Sequence, residues 1–389
     1  MDNGNSRQTE LISDLKRLFK DKLYDSISGK VLGGIGIKYI AALNAPEDIV
    51  SLKKYLDEKP DLSYTEINIA YFDAVYIEAT HDFAFFILSV KREYITIDPE
   101  VMNYSMDQKV SEALTEAIRN LKLKAFEHPD QDSLFSIAGA FILNIANCLN
   151  ISLDEFRYIV YKNSINNYLK IYNDFRKEPE SIRDFNWDSY DHMRYFGLWY
   201  YAMIKVMSDI FKSGRYDSGF IIHDAGTSVA QFPVMLAASR KEELMGLEVG
   251  GVIASDIHIL GMEYAKLYLD GITDAKPANF ISCDFLDEEN ELPEADVTIL
   301  NDVLEHFQTE EISFHVMERF WNKTRKLLIV HVPQEEEPNE VWGHYISFNR
   351  NKLLEWANRL KGHRLLAETY RFSETCTYMD AGFLILERI

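Results

Sequence analysis

The second half of the chain is predicted to be an α/β domain: a doubly wound, mostly parallel sheet of seven strands, preceded by a mainly helical N-terminal domain. Three observations predict it. Beyond residue 215, short β-rich runs alternate with helical stretches, the pattern of strands joined by crossover helices. Five of the runs are almost continuously apolar, as strands covered on both faces should be. Four of them end in an acid or amide, which would line one edge of the sheet with polar groups.

In order, the runs are GFIIHD (219–224), GVIASD (251–256), ANFISCD (278–284), DVTILND (296–302) and KLLIVHVP (326–333). Helical stretches such as MEYAKLYLDG and NKLLEWANRL lie between or after them. The last two runs, LLAETYRF (365–372) and GFLILERI (382–389), are close together and predict a terminal antiparallel pair. Before 215 most patterns are helical. Val110, Ala113, Leu114, Ala117, Ile118 and Leu121 share one stripe at helical spacing. Residues 153–175 read as another helix, and 135–149 as a buried one. The exception is 71–97, rich in aromatic and β-branched residues, which suits strands or a hairpin. The boundaries that follow are 1–180 for the helical domain, 181–215 for an aromatic linker, and 216–389 for the sheet domain. Within the linker, FNWDSYDHMRYFGLWYY (185–201) is either a lid or a core helix. Met193, Phe196, Tyr200 and Met203 fall at the spacing of a buried helical face.

Composition narrows the function. At 389 residues, two domains are expected, and 47% hydrophobic residues suffice for their cores. With 41 basic and 62 acidic residues the net charge is −21, which disfavours general nucleic-acid binding. Three distant cysteines, Cys148, Cys283 and Cys376, and no CxxC argue against a disulfide framework or a zinc–cysteine site. The N-terminal residues are polar, and the longest apolar run is too short to cross a bilayer. A soluble, cytoplasmic protein without a membrane partner is expected.

The strand ends carry the chemistry. After the first run comes Asp224-Ala-Gly226-Thr-Ser228-Val-Ala230. Glycine allows close backbone approach to a ligand, and the following helix opens with unpaired N–H groups. Asp256 ends the second run, Asp284 with Phe285 the third, and Asn301 with Asp302 the fourth.

Those motifs, HDAGTSVA, SDI (255–257), SCDF (282–285) and NDVLEHF (301–307), resemble the class I S-adenosylmethionine-dependent methyltransferases over roughly residues 195–389. WGHYISFNRNKLLEWA (342–357) resembles that family's His-x-x-x-Phe-Ser segment and the helix after it. The resemblance implies a Rossmann-like methyltransferase fold and S-adenosyl-L-methionine as cofactor. It puts Asp224, Gly226 and Ser228 at the methionine part. Asp256 and Ile257 would hold and cover the ribose and adenine, Asp284 and Phe285 would meet the adenine, and Asn301 would contact the amino-acid end or sulfonium. Two features depart from the family pattern: Ser228 and Ala230 stand where its second and third glycines would be, and SRKEELMGLEVG lengthens the path from Asp224 to Asp256. A dinucleotide site would need G-x-G-x-x-G to seat a pyrophosphate, which this chain lacks.

Methyl transfer needs an aligned acceptor and often a base. His306 and His344 qualify by position beyond the fourth and fifth strands, and histidine titrates in a suitable range. The alternative for each is a structural role, for His306 that of a histidine in the turn after the fourth strand. Asp302, Glu305 and His306, with His344, are also similar to the Glu-x-x-Glu-His and distant His of the small-RNA 3′-end 2′-O-methyltransferases. That resemblance implies a divalent metal holding the terminal ribose hydroxyls. The leading reading assigns no metal. Tyr195 and Trp342 are expected to line the acceptor pocket, while EEEPNE (335–340) is a solvated loop or an attractor for a cationic acceptor. The N-terminal domain would form one wall of that pocket, or a homodimer contact. The predicted acceptor is a small molecule, such as a sugar or natural-product intermediate. A non-catalytic scaffold is the reading of a different class.

Overall fold

A computed structural model describes residues 10–11, 13–15, 17–18, 23–25, 37–43, 48–80, 83–95, 110, 113, 116, 141–142, 144–146, 148–179, 192–216, 219–257, 260–333, 335–339, 343–367, 370–371, 377–378 and 383–389. The chain divides into two compact units, Met1–Ser164 and Ile165–Ile389.

The N-terminal unit, expected to be mainly helical, has helical segments among its described residues and also carries a sheet. Its described residues are built round a five-stranded sheet, β1 (Leu23–Asp25), β2 (Ile37–Leu43), β3 (Ser63–Asn68), β4 (Phe72–Thr80) and β5 (Phe83–Val90), in the order β1-β2-β5-β4-β3. β2 and β5 run parallel; the other pairs are antiparallel. β4 and β5 fall within 71–97, the stretch whose aromatic and β-branched residues suit strands or a hairpin, and they pair antiparallel. Val75, Ile77, Phe85 and Ile87 enter one core with helix α1 (Asp48–Asp57), while Ala74, Tyr76, Phe86 and Leu88 enter another with Phe141 and Ile145. With both faces buried, the polar–apolar alternation that marks a strand is absent. Asn144, fully buried, fastens the second core: its side-chain carbonyl accepts Val90 N–H and its amide donates to Leu43 O. Of the predicted helical stripe only Val110 and Ala113 are described, and these are helical, as is Glu116 in the same segment.

The C-terminal unit carries the predicted doubly wound sheet. Its strands are β6 (Phe220–Ala225), β7 (Val249–Asp256), β8 (Ala278–Ser282), β9 (Ala295–Asn301), β10 (Thr324–His331), β11 (His363–Ala367) and β14 (Phe383–Arg388). A separate two-residue ladder, β12 (Tyr370–Arg371) with β13 (Thr377–Tyr378), precedes the last strand. The order is β11-β14-β10-β9-β6-β7-β8. β6 through β10 pair in parallel, and β14 lies antiparallel between β10 and β11. The chain winds outward from β6 to β8, then returns to β9 on the other side of β6. The topological switch point therefore lies between the carboxyl ends of β6 and β9, where this class of sheet opens a crevice.

Local sequence explains the helices that frame this edge. Thr309 caps α6 (Glu310–Lys323) by accepting Ile312 N–H, and Asn349 caps α7 (Arg350–Arg359) by accepting Lys352 N–H. Phe314, Met317, Phe320, Trp321, Leu353 and Trp356 turn inward to one core with Leu300, Leu328 and Leu384. The described part of the aromatic linker is a core helix, α3 (His192–Ile210), following α2 (Leu153–Lys177) in the chain. In α3, Trp199 stacks on Phe383 at 5.5 Å, and Tyr200 stacks on Phe232 at 4.7 Å. Each fully buried large side chain of this kind contributes about 2–3 kcal/mol. The extra residues before β7 receive hydrogen bonds from both of these helices. Glu243 O accepts from the Tyr172 hydroxyl, and Met245 O accepts from the Ser208 hydroxyl. Among the described residues no helix is long and apolar enough to cross a membrane.

Candidate functional site

The turn after β6 is held from within. Gly226, Ser228 and Ala230 all take left-handed backbone conformations, at φ 73°, 53° and 57°. The path that the two missing glycines would ease is kept, at a cost of about 1–2 kcal/mol for each residue with a Cβ. At Gly226 a Cβ would also lie 2.4 Å from Val303 Cγ2, in the turn after β9. Gly226 N–H and Thr227 N–H both donate to Ser255 O, and Ser228 N–H donates to Asp256 Oδ2 at 2.8 Å. The β6 turn is thereby tied to the end of β7. Asp224 is buried and accepts from Thr227 Oγ1 at 2.7 Å; burial pushes its carboxyl up to about 7. α4 (Gln231–Ala238) then begins without a side-chain cap.

Along the edge, Asp256 ends β7 and Ile257 beside it is exposed. α5 (Leu260–Asp270) starts against this turn so closely that a Cβ on Gly261 would meet Val229 Cα at 2.4 Å. Asp284 lies two residues past β8 and accepts Leu286 N–H. The Phe285 ring is taken up by the core, edge-on to Phe320 at 4.9 Å; the apolar side chain exposed at this point is Leu286. Sequence reasoning missed Leu286, whose only signal was its position after an Asp-Phe pair. Asn301 ends β9 with its side-chain Oδ1 buried and lacking a hydrogen-bond partner.

The turn after β9 is different. Glu305 sits in a single 3₁₀ turn, Leu304–His306, with its side chain fully buried and neither carboxylate oxygen hydrogen-bonded. Burial, and then the negative charge of Asp302, push its pKa well above the ordinary carboxylate range. Glu305 O accepts Tyr345 N–H and Ile346 N–H, which fastens the loop carrying His344. One ligand atom from each of Glu305, His306 and His344 lies within 4.8 Å of the others, the grouping expected for a metal ion. His306 donates from Nδ1 to Gly343 O at 3.0 Å, and partial burial lowers its pKa. His344 Nδ1 lies 2.8 Å from Glu335 Oε2. Two imidazoles beside a carboxylate that lacks hydrogen-bond partners suit a borderline divalent cation.

Asp302, the fourth member of the sequence pattern, turns elsewhere. It takes φ 52°, donates its N–H to His331 O, and places Oδ1 2.8 Å from His331 Nδ1. His331, at the end of β10, is a buried histidine as its apolar strand suggests; its ring lies 3.7 Å from that of Trp199, and Tyr195 Oη lies 3.5 Å from its Nε2. Tyr195 therefore reaches the carboxyl edge from α3. Trp342 and residues 185–191 lie outside the described residues. His223 is a core histidine bonded to Ser255 Oγ at 2.7 Å, and burial pulls its pKa down to about 3.

No family profile matches the sequence, and no curated protein matches it. Among solved structures the chain is similar to magnesium protoporphyrin IX methyltransferase of Synechocystis PCC 6803 with bound S-adenosylmethionine. Identity is 17%, coverage is 57% of this chain and 97% of that one, and the TM-score is 0.34. It is also similar to the methyltransferase domain of a bacterial Hen1, at 13% identity, 48% and 98% coverage and TM-score 0.36. For the small RNA methyltransferase HEN1 the figures are 18% identity, 47% of this chain, 25% of that one and TM-score 0.34.

Proposed function

We propose that this chain is an S-adenosylmethionine-dependent methyltransferase. The observation that carries the reading is the row of Asp224, Asp256, Asp284 and Asn301 at or just beyond the carboxyl ends of β6, β7, β8 and β9, the edge on which the switch point lies. The residues fit the cofactor. The left-handed turn 226–230 brings bare backbone to the crevice, beside the uncapped start of α4. Asp256 would take the ribose, Asp284 the adenine amino group, and Ile257 with Leu286 the faces of the base. Asn301 Oδ1 would meet the amino-acid end. When bound, the cofactor supplies an electrophilic methyl group; the chain's part is to orient the acceptor and exclude water.

The leading acceptor is a small molecule such as a sugar or natural-product intermediate, with His306 and His344 near it and Tyr195 at its side. Homodimerisation of the full chain accompanies this reading and is checked by sedimentation. A second reading is favoured by one specific feature, the buried, partnerless Glu305 beside His306 and His344. There the three side chains would hold a divalent metal that grips neighbouring hydroxyls of the acceptor, as in 2′-O-methylation of an RNA 3′ end. The net charge of −21 opposes long contact with a polyanion, so only the terminal sugar would be engaged.

Calorimetric titration with S-adenosylmethionine and S-adenosylhomocysteine, then with Mn²⁺ before and after a chelator, tests both readings. Micromolar cofactor binding, lost in Asp256→Ala, is the expected result; no binding of either ligand sinks the methyltransferase. Stoichiometric Mn²⁺ binding supports the metal-assisted form, and its absence returns His306 and His344 to the role of candidate bases.

A further inference from the structure

We infer that Glu335, braced by Asn339, is the positioning residue that turns His344 into a metal ligand. The inference rests on the metal-assisted reading above. Glu335 belongs to the acidic run EEEPNE, which by sequence alone is a solvated loop. In the structure it closes a ring of three hydrogen bonds. His344 Nδ1 donates to Glu335 Oε2 at 2.8 Å, Asn339 Nδ2 donates to Glu335 Oε1 at 3.2 Å, and His344 N–H donates to Asn339 O at 3.0 Å. Both the ring and the backbone of His344 are thereby fixed. Glu336 and Glu337, next in the run, are exposed.

The tautomer follows from the partners. A carboxylate and a carbonyl only accept, so Nδ1 carries the proton in His344, facing Glu335, and in His306, facing Gly343 O. Each imidazole then keeps its lone pair on Nε2. In His306 that atom lies 4.0 Å from Glu305 Oε1. A carboxylate behind an imidazole also raises its basicity as a ligand, and loss of such a partner typically lowers metal affinity about 10- to 100-fold. Glu335 would thus set the affinity of the centre without touching the ion.

The test measures Mn²⁺ binding calorimetrically on the full chain without cofactor or acceptor, beside thermal melts of the same metal-free samples. Glu335→Ala should weaken binding about 10- to 100-fold while leaving the metal-free melt nearly unchanged. Glu335→Gln, whose amide oxygen still accepts from Nδ1, should recover part of the affinity. Asn339→Ala should lose less than Glu335→Ala, and Glu336→Ala should bind as wild type does. Equal affinity in wild type and Glu335→Ala overturns the inference and leaves the metal centre standing. Equal losses in Glu335→Ala and Glu336→Ala also overturn it, since a diffuse acidic field would then be responsible. A wild type that takes no Mn²⁺ overturns the metal centre and the inference together.

Discussion

The turn after β6 and the turn after β9 adjoin on one sheet edge, yet they treat their carboxylates in opposite ways. In the first, Asp224 is bonded to Thr227 and Asp256 to Ser228, so the acids shape the loop. In the second, Glu305 is fully buried with both oxygens lacking partners. A buried acid without partners costs several kcal/mol unless it is protonated or meets a cation. The difference teaches that the acids of the β6 turn are spent on holding the loop, whereas the Glu305 carboxyl in the β9 turn is left to a proton or a cation.

The largest effect that would break this comparison is at Glu305. Glu305→Gln should weaken Mn²⁺ binding more than about 100-fold, and the metal-free variant should lose less stability than wild type as pH rises, because the amide never has to ionise whereas the buried carboxyl with its raised pKa does. Melts whose pH dependence is the same in variant and wild type would mean that Glu305 does not hold its proton more tightly in the folded state. Asp224 provides the next test. Its folded pKa of about 7 lies above the unfolded value near 3.8. The folded state therefore holds the proton longer, and the carboxyl's contribution is fully present below pH ~4 and is lost as pH rises through about 7. Asp224→Asn should match wild type in urea unfolding at acid pH and gain up to ~4 kcal/mol on it above pH 7. A gain independent of pH would remove the buried acid as its cause.

Gly226→Ala should destabilise by about 3 kcal/mol, from a left-handed backbone and an overlap with Val303. Denaturant titration reads it, and a loss below ~1 kcal/mol would mean the two turns are not in rigid contact. The smallest effect sharpens the β6 turn: Ser228→Gly should relieve strain at φ 53° for a net gain of no more than ~1 kcal/mol, with unchanged or tighter cofactor binding. Weaker cofactor binding would instead give the Ser228 hydroxyl a role in the site.

The legibility of the chain follows the same divide between local and distant causes. The seven strands of the C-terminal sheet, and the acid or amide at or just past the ends of β6 to β9, were readable from residues 216–389, because short apolar runs alternate with helical stretches there; the edge strand β8 shows such a run although none of its residues is buried. Helices α5 and α7 were readable as the helical stretches MEYAKLYLDG and NKLLEWANRL, whereas α6, capped locally by Thr309, was not singled out. Of the five-stranded N-terminal sheet only β4 and β5 were readable, from the aromatic and β-branched residues of 71–97; β1, β2, β3 and the order β1-β2-β5-β4-β3 were not, since pairing between distant segments leaves no local period. The candidate site divides likewise. Asp224, Asp256 and Asn301 occupy strand ends and Asp284 follows one by two residues, positions the sequence determines by itself. That Phe285 turns into the core, that Asp302 serves His331, and that Glu335 reaches His344 are outcomes of tertiary structure alone. Side-chain direction beyond a strand end is decided by which neighbour offers burial or a hydrogen bond, and those neighbours come from elements far apart in the chain.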